Sequence, residues 1–102
     1  MSAKPLVLAG PHGRVEIAAD ALETVVTHAL ADVEGAMLVR GRRAVELAAR
    51  EGALDVELAL VVTAGLVLPE VGERAQRAVA EAVGGMTGLQ ARVDVAIVGV
   101  EG

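Results

Sequence analysis

Two side chains in this sequence stand at a spacing that could do chemistry. His28 and Asp32 are four residues apart. On a helix such positions share a face, so an imidazole and a carboxylate could form a His–Asp dyad or half of a metal site. A dyad needs a nucleophile, and a metal needs further ligands. The hydroxyls on offer are Ser2, Thr24, Thr27, Thr63 and Thr87, and none lies in a Gly-x-nucleophile-x-Gly turn. The chain has no cysteine, which removes thiolate catalysis, disulfides and cysteine-ligated zinc together. His12 falls in a glycine-flanked loop. His28 and Asp32 therefore read as a weak surface pair near a negative helix end. No catalytic, cofactor-binding or metal-ligating residue is expected, and the protein reads as a non-enzyme.

The remaining chemical candidates are glycines and arginines. Gly84, Gly85 and Gly88 follow a helical pattern instead of opening one, so they cannot cradle a phosphate as a P-loop does. Arg40, Arg42 and Arg43 form a basic cluster around Gly41. It reads either as a solvated turn or as a contact for an anion, an anionic headgroup or an acidic partner strand. Nucleic acid is not an expected partner, because the net charge is −5 and no aromatic ring exists on which a base could stack. The carboxylates are spread along alternating or helical patterns, which marks solvated faces and not a paired acid–base site.

The elements that must position these groups come from an aliphatic chain of 102 residues, the size of one domain. Hydrophobic residues make up 54% of it, yet no uninterrupted apolar run of about 18 residues is present, so no transmembrane helix and no direct membrane insertion are expected. Met1-Ser2-Ala3-Lys4-Pro5 lacks a long apolar region, which predicts no signal peptide and a cytoplasmic protein.

Residues 1–12 carry Pro5, Gly10 and Pro11 and read as a flexible N-terminal arm, in which Leu6-Val7-Leu8 could add a short edge strand. Residues 13–102 read as a single domain. Arg14-Val15-Glu16-Ile17 alternates like a half-buried strand. Asp20, with Glu23 three residues on, is placed to cap a first helix. Its apolar stripe is Leu22, Val25, Val26, Ala29, Leu30 and Val33, and Gly35 is expected to end it. Ala36–Val39 is a short strand before the arginine turn. Val45, Leu47 and Ala49 form one alternating run, and Leu54, Val56, Leu58, Leu60 and Val62 form another. With Gly52 between them they predict a β-hairpin. Pro69 suits the first turn of a second helix, whose buried stripe is Val71, Ala75, Ala78, Val79 and Ala82 and which Gly84 and Gly85 should stop. Leu89, Ala91, Val93, Val95 and Ile97 alternate through the last strand. The fold class is thus α+β, ordered β-α-β-β-β-α-β. The sheet is mainly antiparallel, with both helices on the face bearing Val56, Leu58, Val93 and Val95.

The opposite face should carry Ala44, Ala48, Ala59, Val61, Ala96, Val98 and Val100 among Glu46, Asp55, Glu57, Arg92 and Asp94. Two readings stay open for it: a partly apolar solvent-facing sheet, or an interface through Ala59, Val61, Ala96 and Val98.

The punctuation of these elements resembles one family. Gly13-Arg14-Val15-Glu16-Ile17 leads into a helix ending at Val33-Glu34-Gly35-Ala36. Leu68-Pro69-Glu70-Val71 then opens the second helix, and Gly85-Met86-Thr87-Gly88-Leu89 leads from it into a strand. In order and spacing these resemble the alkaline shock proteins, small bacterial envelope-stress proteins with no established catalysis, over Gly13 to Val100. The resemblance implies a cytoplasmic protein that self-associates, gathers at the membrane through a membrane-anchored partner, and supports cell-envelope stress tolerance. It carries over no catalytic residue and no cofactor. The connection at Arg40–Arg43 is shorter than is usual in that family, which puts a partner contact through this loop in question. An alternative of another class is a small-ligand or RNA-binding module of KH-like or ferredoxin-like architecture. An RNA reader of that kind would use a GXXG loop between helices or aromatic residues on the sheet, and this chain offers neither.

Overall fold

A computed structural model describes residues 5–41, 43–50 and 52–102. It has the α+β order read from the sequence, with one strand added at the front. The elements are β1 (Leu6–Gly10), β2 (Gly13–Ile17), α1 (Ala19–Ala31), β3 (Ala36–Leu38), β4 (Val45–Arg50), β5 (Ala53–Thr63), α2 (Leu68–Thr87) and β6 (Gln90–Glu101).

The eleven-residue β5 is the spine of the main sheet. Along one edge it pairs antiparallel with β3 at its C-terminal end and with β4 at its N-terminal end. Val39 N–H donates to the Ala59 carbonyl and Ala59 N–H donates to the Ala44 carbonyl, which closes the gap between those two ladders. β3 and β4 therefore form one interrupted strand, and Arg40, Gly41 and Arg43 belong to an excursion from it. The other edge of β5 pairs with β6 in parallel, as the intervening α2 allows. The antiparallel pairs β1/β2, β3/β5 and β4/β5 thus stand beside one parallel pair.

Both helices pack on one face of this sheet, as their one-sided stripes require. Leu22, Val26, Leu30 and Val33 of the first stripe are buried, and Val71, Ala75 and Val79 of the second are fully buried; Val83, outside the expected stripe, is fully buried too, while Ala78 and Ala82 are half-buried. The buried residues meet Leu54, Val56, Leu58, Leu60 and Val62 of β5 and Val93 of β6 in a single core. Burial of each such aliphatic side chain contributes about 1.5–3 kcal/mol, which is how a chain without aromatic rings holds a fold.

Several local expectations need correction. Leu6–Gly10, expected in a flexible arm, pairs antiparallel with β2, and Leu6 is buried against the core. Asp20 is not the α1 cap. Ala18 holds that position without a side-chain bond, and Asp20 sits inside the first turn, where its charge still favours the helix dipole. α1 ends at Ala31, and Gly35 serves the turn into β3 with φ +81°. Gly84 and Gly85 do not stop α2, which runs to Thr87 and is capped by Gly88 at φ +75°. A Cβ at Gly84 would stand 3.3 Å from the Leu89 carbonyl, so a close backbone approach and not helix termination explains that glycine.

Candidate interaction surface

The sheet face turned away from the helices divides along its strands into a charged half and an apolar half. Strand registry, which periodicity could not supply, makes the division. In the charged half Glu46 lies opposite Glu57, and Glu57 lies opposite Asp94, so three carboxylates stand in one row across β4, β5 and β6. In the next row Ala48, Asp55 and Arg92 are aligned. Arg50 Nε meets Asp55 Oδ2 at 2.6 Å, but its side chain is 75% exposed and the pair contributes little to stability. These residues border a shallow hollow of about 320 Å³. Glu46, Glu57 and Asp94 are all exposed, and among the described residues no nucleophile lines the hollow with them. Like charges directly opposite one another cost a few tenths of a kcal/mol each when solvated, and they make this half a poor seat for an anion.

The apolar half lies toward the other end of β5. Met37, Val61 and Gly99 form one row across β3, β5 and β6. Met37 is 51% exposed and Val98 is 42% exposed. Ala96 is exposed and Val61 half-buried. Of the residues expected here, Ala59 is buried by its neighbours while standing outside the core, so it adds little contact area. Val100 is misplaced by the sequence reading. A bulge between Leu60 and Val61 makes Val98 the extra residue, and Val100 then pairs with Val62 on the helix side. Met37 was missed, because a three-residue strand is too short for alternation to assign its face.

The other candidates do not converge. His28 is exposed on α1 and Asp32 is exposed one residue beyond its end, beside Arg74 and Arg77 of α2, with no ion pair between His28 and Asp32 among the described residues. No group of three or more His, Cys, Asp or Glu side chains is placed to hold a metal among those residues. The variant carrying both His28→Ala and Asp32→Ala is expected to keep its Tm within about 4 °C, since exposed i,i+4 pairs contribute about 0.5 kcal/mol at most. Metal analysis of the purified wild type should find no stoichiometric zinc. A larger loss of stability, or zinc released by the substitutions, would refute the surface-pair assignment. Arg40 and Arg43 are exposed on the loop between β3 and β4, while Arg42 lies outside the described residues. Among the described residues no helix is long and apolar enough to cross a membrane. No family model, curated protein or solved structure matches this chain.

Proposed function

We propose that the protein is a non-catalytic, cytoplasmic interaction protein of the alkaline-shock type, working by self-association and by recruitment to a membrane-anchored partner in support of cell-envelope stress tolerance. The observation that carries this reading is the apolar strip of Met37, Val61, Ala96 and Val98, left uncovered beside a charged strip on the same sheet face. Removing that strip from water gains about 25 cal/mol per Å² of apolar surface, which a lone copy forgoes. The row that borders it, Glu46, Glu57 and Asp94, is acidic, with Arg92 one row further on, a pattern suited to fixing the orientation of a partner that sets a basic rim beside an apolar patch. The order of Gly13-Arg14-Val15-Glu16-Ile17, Leu68-Pro69-Glu70-Val71 and Gly85-Met86-Thr87-Gly88-Leu89 supports the family reading.

Val61→Lys combined with Val98→Glu is expected to shrink the species seen by light scattering, with the circular dichroism spectrum unchanged. Neither side chain belongs to the core between sheet and helices. An assembly of unchanged size would refute the strip as the contact. For the partner, the tagged protein recovered from its native cells should divide between membrane and soluble fractions, and a single membrane protein should co-purify from the former. Recovery from the soluble fraction alone, with no membrane protein attached, would contradict recruitment.

A further inference from the structure

β6 is the longest strand, and a single edge of it is in use. Gln90–Glu101 pairs with β5 on one side, and among the described residues no strand pairs with the other. An edge of this kind offers a row of N–H and C=O groups to another chain, and natural folds blunt it with charged side chains, proline, bulges, short length or a covering segment. β6 is twelve residues long and has no proline, and its charges before the bulge, Arg92 and Asp94, are of opposite sign. Gln76 is the one described side chain bonded to its backbone, its Nε2 donating to the Val93 carbonyl at 3.1 Å. The bulge at Val98 interrupts the strand, so its regular part runs from Gln90 to Ile97.

We infer that this edge pairs with β6 of a second copy, antiparallel about a two-fold axis through Val93. In a continuous sheet each residue must face one on the same side, so the axis passes through a residue and not between two. An axis through Arg92 sets that guanidinium against its own copy, and one through Asp94 opposes two carboxylates. Through Val93, Arg92 of each copy lies opposite Asp94 of the other, twice by symmetry. The same axis pairs Gln90 with Ala96 and Ala91 with Val95, and the ladder then stops just short of the bulge. Charge pattern and bulge position thus select the same centre independently.

On the helix side, the flank of α2 above this edge carries Gln76 and Ala80, both half-buried and uncharged, while Arg74, Arg77 and Glu81 lie toward α1. Glu73, on the same flank, is 68% exposed and paired with Arg77, so a second copy can approach with that charge left at the rim. That matters because a stable contact removes about 800 Å² per partner, more than a short strand pair supplies unaided. The Val93 carbonyl has two lone pairs, so it can accept from the opposing strand while keeping Gln76. The contact uses neither Met37 nor Val61 and stands without the open-face association.

The test is sedimentation equilibrium of Val61→Lys, in which open-face association is disabled, followed by substitutions in that background. A concentration-dependent dimer is expected there. Arg92→Asp should weaken it about tenfold or more by opposing carboxylates at two symmetric points. Adding Asp94→Arg to Arg92→Asp should restore it to within about threefold, because the reciprocal pairs are rebuilt with the signs exchanged. Hydrogen exchange should show the amides around Val93 gaining protection as concentration rises. A monomeric Val61→Lys protein beside an associating wild type would overturn the edge contact and leave the open-face reading intact. A dimer in that background indifferent to Arg92→Asp, or weakened by it without recovery in the exchanged double variant, would overturn it as well.

Discussion

Val26→Asp is expected to be the most damaging single substitution in α1. Val26 is 0% exposed and lies in the middle of the stripe between helix and sheet. A carboxylate there has no partner and must either ionise out of water or take up a proton, a cost at the extreme end of point-mutant effects, about 4 kcal/mol or more. Against the usual 5–15 kcal/mol of total stability that is a large share, and the Tm should fall by about 15 °C or more. Its neighbour supplies the control. Thr27 is exposed, its hydroxyl donating only to the Glu23 carbonyl within the same helix, so Thr27→Asp should move the Tm by no more than a few degrees. Thermal melts of the two proteins check this pair, and similar losses from both would mean that the helix does not present the stripe described.

Gly35→Ala is expected to have the next largest effect. Gly35 holds φ +81°, which costs an L-residue about 1 kcal/mol, and a Cβ there would run into Leu66 Cδ1. The tip of the leucine must shift within its half-buried place against the core, and the sum should be about 2 kcal/mol. Gly52, at φ +67° in the β4–β5 turn, has open space where its Cβ would stand. Gly52→Ala should therefore cost about 1 kcal/mol, the backbone share alone. Urea titrations of both variants separate the two contributions, and equal losses would show that the Leu66 contact is immaterial.

The contrast between Gly35 and Gly84 shows where sequence reading reaches its limit. Both interrupt a helical pattern and both invite the reading of a stop signal. Gly84 instead lies inside α2, placed there by the approach of the Leu89 carbonyl, a tertiary contact that propensity cannot reveal. The apolar stripes were legible because burial imposes their period directly. Leu22, Val26 and Leu30 on α1, Val71, Ala75 and Val79 on α2, and the alternation of Leu54 to Val62 all face the core as their spacing requires. Pairing was less legible. Nothing local in Val93 or Asp94 tells that β6 runs parallel to β5, so the row of Glu46, Glu57 and Asp94 could not be foreseen. Asp20 reads as a cap because its type suits one, yet the helix begins one residue before it.

The face proposed for contact was half legible for the same reason. Alternation separates Val61 and Ala96 from the core-facing residues, and both stand on the open face. One inserted residue at Val98 reverses the phase beyond it, carrying Val100 to the other side, and a bulge of this kind leaves no reliable mark in a run of valine, alanine and isoleucine. Met37 joins the strip only through its registry with Val61.

Self-association is the central claim, and sedimentation velocity of the wild-type protein, from sub-micromolar concentration to its solubility limit, tests it most directly. A sedimentation coefficient that climbs with concentration to that of a dimer or larger species is the predicted result. A single monomeric boundary at every concentration would contradict the account.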